Sequence, residues 1–146
     1  MSKFRTNIHE LPSLSNIDPL KNWNVSKCKN LKGLFYSCEN LSDITPLKNW
    51  NVSNVNDFSE MFYKTSISDI KPLENWNVSN GINFSRMFWS VDRLTDVSPL
   101  KIWNVSRGEN FEKMFSYCES LKNGNILKGW KFKKNYYFKS MFETYD

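Results

Sequence analysis

The chain has 146 residues with a formal net charge of +5, six Trp and eleven Phe, an aromatic content that excludes a disordered chain, which cannot bury enough apolar area to offset its conformational entropy. The charge is too small to require a nucleic acid or an anionic membrane as partner, and no 18-residue apolar run is present to span one. One histidine, His9, excludes His-based triads and multi-histidine metal sites, and five glycines without a P-loop or G-x-G-x-x-G motif give no phosphate cradle.

Residues 1–13 are an N-terminal segment with a few charges and no hydrophobic stretch of the kind a secretory leader needs. The expectation is a protein that works inside a cell, or at a cell surface if the sequence is a mature fragment. From Leu14 onward the chain repeats, and 1–146 is expected to form one domain. Trp23, Trp50, Trp76, Trp103 and Trp130 recur every 26 or 27 residues, and the first four open an identical Trp-Asn-Val-Ser string. Units of this size cannot bury their apolar side chains alone, whereas stacked units share a continuous core.

Each unit begins with Leu-x-x-Ile-x-Pro-Leu or a close variant, first at Leu14–Leu20 and then at Leu41–Leu47, Ile67–Leu73 and Leu94–Leu100. Apolar positions alternate with polar ones and proline bars a continuing helix, so this phase predicts a short parallel strand. The Trp-Asn-Val-Ser string follows, then Asn30, Asp57, Asn83 or Asn110 as a helix N-cap. The i, i+3, i+4 sets Leu31-Leu34-Phe35, Phe58-Met61-Phe62, Phe84-Met87-Phe88, Phe111-Met114-Phe115 and Phe138-Met141-Phe142 predict a short helix or helical turn. The fifth unit is degenerate and basic, with Lys128, Lys131, Lys133, Lys134 and Lys139.

The block Leu-x-x-Trp-Asn-Val-Ser-x-x-x-x-Phe-x-x-Met-Phe, followed by a Cys-containing turn such as 36–41, resembles the BspA-like leucine-rich repeats of bacterial surface proteins from Leu14 to Phe142. The resemblance implies an α/β fold, a right-handed solenoid of about five repeats, each a strand plus a short helix, and a role in adhesion or other protein binding. Similar repeats in viruses extend the expectation to a small inhibitor or adaptor that occludes a host protein.

Residues flanking an inward Ile must face outward, so Asn16, Asp43, Asp69, Asp96 and Asn123 are predicted to form a partner-binding stripe on the strand face. Tyr36, Tyr63 and Trp89 share one repeat position and predict an aromatic edge, because Tyr and Trp are enriched where proteins bind one another. The C-terminal lysines, interleaved with Tyr and Phe, predict the alternative of phosphate contacts to a nucleic acid. Asn24, Asn51, Asn77 and Asn104 match the N-glycosylation pattern, but four at one repeat position predict a structural ladder. Cys28, Cys38 and Cys118, odd in number and without C-x-x-C spacing, predict reduced thiols. No catalytic residue, metal or cofactor is expected, and the predicted function is a non-enzymatic protein-binding module.

Overall fold

The computed structural model describes residues 11–144; the expectations for His9 and the rest of residues 1–10 fall outside them. The five repeats stack as successive turns of one column, and each makes the same three-part circuit.

The proline segment is the first part. Asn16, Asp43, Asp69 and Asp96 each fold their side-chain oxygen back onto the N–H two residues ahead, at 2.8–2.9 Å, closing an Asx turn. A 3-10 helix follows at Asp18–Asn22, Thr45–Leu47, Lys71–Leu73 and Ser98–Leu100, with proline at its start. Proline fits that position because its fixed φ is helical and its missing N–H would have had no partner. The predicted strand is therefore corrected to a 3-10 helix. Proline did bar an α-helix, but the Asx turn bends the chain before any extended run can form. In the fifth repeat the equivalent helix, Gly124–Gly129, forms without proline.

The second part is the Trp-Asn-Val-Ser corner. Asn24, Asn51, Asn77 and Asn104 each accept both the N–H and the hydroxyl of the Ser two residues on, at 3.0–3.1 and 2.6–2.7 Å. Each tryptophan then ties its repeat to the one before it. The indole N–H groups of Trp50, Trp76, Trp103 and Trp130 donate to the carbonyls of Leu20, Leu47, Leu73 and Leu100 at 2.9–3.0 Å. Every one of those carbonyls also accepts the backbone N–H of its own repeat's Trp, so both lone pairs are used.

The third part carries the predicted helices, and here the chain does something else. Leu31, Gly33, Phe35 and Ser37 donate their N–H groups to Asp57, Ser59, Met61 and Tyr63 of the next repeat, while Leu34, Tyr36 and Cys38 close i→i−3 turns between them. The pattern recurs from the second repeat to the third and from the third to the fourth, with lateral bonds of 2.7–3.0 Å. Two residues per repeat sit in the left-handed region to allow it: Gly33, Glu60, Arg86 and Lys113 at one position, Ser37, Lys64, Ser90 and Tyr117 at the other, with φ between 54° and 63°. A helix would have turned these N–H groups along its own axis. The predicted N-caps Asn30, Asp57, Asn83 and Asn110 do accept the N–H two residues ahead, at 2.8–3.0 Å, but as Asx turns joined by three isolated parallel bridges.

Only in the fifth repeat does this phase become α-helical. Tyr137–Ser140 forms α1, closed by bonds from Ser140 to Tyr136 and from Met141 to Tyr137. No following repeat accepts its N–H groups among the described residues. The expected α/β solenoid of one strand plus one helix per repeat is thus overturned. Among the described residues β-structure is confined to those bridges and α-helix to four residues.

The core is where the sequence placed it. Phe35, Phe62, Phe88, Phe115 and Phe142 stack face to face at 5.4–5.8 Å, and Phe58, Phe84 and Phe111 form a second ladder at 5.3–5.4 Å. Leu34, Met61, Met87, Met114 and Met141 are fully buried. Each such side chain contributes about 1.5–3 kcal/mol from burial, and stacked pairs roughly 0.5–1.5 more.

Candidate partner-binding surfaces

Asn16, Asp43, Asp69 and Asp96 lie exposed on successive turns, but on Asx turns and not on a strand face. One oxygen of each is committed to the backbone. Hydrogen bonding from Thr45 holds the Asp43 carboxyl below its ordinary range. Asp96 is lowered first by Asn123, whose amide donates to it at 2.7 Å, and then by the Ser98 N–H. Asn123 is half-buried and bridges repeats, its oxygen accepting the N–H of Val97 at 3.0 Å.

Tyr36, Tyr63 and Trp89 come together as a stack with ring centroids 4.4 and 4.5 Å apart. Their faces are turned towards one another, so the row presents ring edges. The row continues to Tyr117, which meets Trp89 edge-on at 5.1 Å. Tyr117 was missed because the aligned position holds Ser116, and only the aromatic one place later signals it. The Trp89 indole N–H is buried with no hydrogen-bond partner. Lys64 lies over the same ring at 5.7 Å. Beside the row runs a groove of roughly 420 Å³ that includes Glu39, Lys64, Ser66, Asp92 and Arg93 in its lining, a set that periodicity does not single out because it spans three repeats.

The C-terminal lysines are all exposed, yet they do not act as one patch. Lys133 pairs with Glu109 at 3.0 Å and Lys128 lies over Phe138 at 5.6 Å, while Lys139 belongs to α1. Lys131 and Lys134 stand on the irregular stretch after Trp130. A second groove, of roughly 590 Å³, includes Phe115, Tyr117, Leu121, Phe138, Phe142 and the polar Glu119 and Lys122 in its lining, but none of these C-terminal lysines.

All three thiols are reduced. Burial raises Cys28 and Cys38, and pushes Cys118 up to about 12; Cys118 donates to the Phe88 carbonyl at 3.0 Å. These are packing positions. Among the described residues, no three His, Cys, Asp or Glu side chains are grouped to hold a metal ion, and no helix is long and apolar enough to cross a membrane.

Stacked turns, aromatic ladders and surface rows repeated at one position per turn define a tandem-repeat protein. The chain belongs to the family described as Mycoplasma protein of unknown function, DUF285, whose model matches residues 3–97 and 42–146. This corrects the resemblance to BspA-like leucine-rich repeats. The two families differ, and a buried face that recurs every 26 or 27 residues is a demand common to stacked units, not the mark of one family. No curated protein matches the chain.

Proposed function

We propose that this chain is a non-enzymatic module that binds a protein partner along the edge formed by Tyr36, Tyr63 and Trp89. The observation that carries the reading is the Trp89 indole N–H, buried without an acceptor, on a half-exposed ring packed between Tyr63 and Tyr117 in the aromatic row. An unsatisfied buried donor costs about 1–3 kcal/mol, a cost that a partner's carbonyl or carboxylate would recover on uncovering the N–H. The neighbouring groove supplies cations and carboxylates for a polar rim. The Asp43, Asp69 and Asp96 row is the secondary contact, its backbone already fixed so that little ordering entropy is lost on binding.

The test is affinity capture from the source organism's lysate with wild type, Trp89→Phe and the triple Asp43, Asp69, Asp96→Lys variant, with and without nuclease and at two salt concentrations. The expected result is a nuclease-resistant protein, retained at the higher salt, that is lost with Trp89→Phe although thermal stability stays within about 1 kcal/mol of wild type. Capture abolished by nuclease and unaffected by Trp89→Phe would overturn the reading in favour of phosphate contacts by the C-terminal lysines.

A further inference from the structure

Charge is segregated by repeat phase. The arcs 18–29, 45–56, 71–82, 98–109 and 125–136, which run from each 3-10 helix through the Trp corner, carry eleven Lys or Arg and only three acids, Asp18, Glu74 and Glu109. The remaining residues between 30 and 144 carry seven bases and ten acids. All eleven basic residues of the arcs are exposed. Their spine is one repeat position, two residues before each Trp, held by Lys21, Lys48, Glu74, Lys101 and Lys128. Only the third repeat breaks the row, and there Lys71 pairs with Glu74 at 2.8 Å.

Three of the four exposed large apolar side chains among the described residues lie within the same arcs: Ile102 at 67%, Tyr136 at 64% and Ile82 at 36% exposure. Ile102 stands where the other repeats carry Asn22, Asn49, Asn75 and Gly129, directly beside Lys101. At 67% exposure, this isoleucine leaves most of its side chain in solvent beside a lysine. It suits a boundary that is anionic outside and apolar just beneath.

We propose that this basic arc is a docking surface for an anionic lipid membrane, with Lys21, Lys48, Lys101 and Lys128 on the headgroup phosphates and Ile102 and Tyr136 entering the interface. A single-stranded nucleic acid is disfavoured by the same geometry. Binding of that kind relies on bases stacking on free ring faces, whereas the Trp rings of this arc stack on each other, Trp23 on Trp50 at 6.4 Å and Trp103 on Trp130 at 6.3 Å. Each lysine near an anionic surface is worth about a fivefold factor in partitioning.

The experiment is co-sedimentation with vesicles of phosphatidylcholine alone or with 30 mol% phosphatidylglycerol, an arbitrary but roughly physiological acidic fraction, beside fluorescence anisotropy with a labelled single-stranded oligonucleotide. Wild type should bind only the acidic vesicles, and substituting Lys21, Lys48, Lys101 and Lys128 by Gln should weaken partitioning by roughly 100-fold or more. The control replaces Lys32, Arg93, Lys122 and Lys139 by Gln, the same charge removed from outside the arcs, and should retain binding to within about fivefold. Ile102→Ser should lose several-fold at raised salt, where the electrostatic contribution is screened. All variants change exposed side chains, and unaltered tryptophan fluorescence certifies their fold. Equal loss in the control, binding to neutral vesicles, or tighter binding to the oligonucleotide than to acidic vesicles at one ionic strength would each overturn the proposal.

Discussion

Seven non-glycine residues hold left-handed backbone angles at two positions per repeat, and Gly33 alone among those eight sites is glycine. For an L-residue that conformation costs about 1–2 kcal/mol. The lateral hydrogen bonds that depend on it offset the cost. Substituting Gly at one such site should relieve strain while adding freedom to the unfolded chain, so Lys64→Gly is expected to raise stability by about 0.5–1 kcal/mol. Gly33→Ala is expected to lower it by about 1–2 kcal/mol. Urea denaturation of the two variants beside wild type checks both signs.

Also at the residue scale, Asp43 and Asp96 have native pKa values below their ordinary range. A carboxylate lowered in the folded state contributes stability above its unfolded pKa, and that contribution disappears as pH falls through the native value. The chain should therefore lose stability from about pH 4 downwards. Asn accepts the same turn hydrogen bond, as Asn16 does, so the double variant Asp43→Asn, Asp96→Asn should show a shallower acid decline. Urea midpoints between pH 2 and 6 test the slope; an unchanged slope would assign the acid sensitivity to other carboxylates.

At the scale of the element, no segment has independent standing. The 3-10 helices are three to six residues long, and the turn ribbon finds half of its bonds only in the next repeat. Stability must come from the ladders, and their middle rungs should matter most. Phe88, fully buried between Phe62 and Phe115, should cost about 3–5 kcal/mol on truncation to Ala. Phe142, half-buried and stacked on Phe115 as the last rung of its ladder, should cost less than half as much, as chemical denaturation of both variants would report. The repeat period, the identity of the buried rows and the acceptor role of Asn30, Asp57, Asn83 and Asn110 were legible at this scale. The conformation between them was not. Spacing of i, i+3, i+4 is satisfied equally by a helix and by this ribbon, and Glu60, Arg86, Lys113 and Lys64 carry none of the glycine signal that would have revealed the left-handed positions.

Across the whole molecule, contacts pass from each repeat to its neighbours, as in other one-dimensional stacks. Deleting residues 77–103, one full period that rejoins Trp76 to Asn104, should leave a folded column one turn shorter, with lower stability and unchanged tryptophan packing. Near-UV circular dichroism and a calorimetric melt would show it, and loss of cooperative unfolding would contradict nearest-neighbour stacking. The surface follows the same logic. The aspartate row and the Tyr36–Tyr63–Trp89 edge could be named from sequence because they share repeat positions. The unpartnered Trp89 N–H, Tyr117 and the groove along Lys64 and Arg93 could not, since each arises between repeats that differ.

By itself the sequence determined that this protein is periodic, which side chains are buried and which rows face solvent, because burial follows from composition at a recurring position. Only the tertiary structure decided the backbone between those positions. A chain with a neighbour 26 or 27 residues away can satisfy its N–H groups sideways, and that option carries no local pattern. The fifth repeat makes the distinction visible: the same apolar spacing, at Phe138, Met141 and Phe142, there accompanies α1 in place of the ribbon.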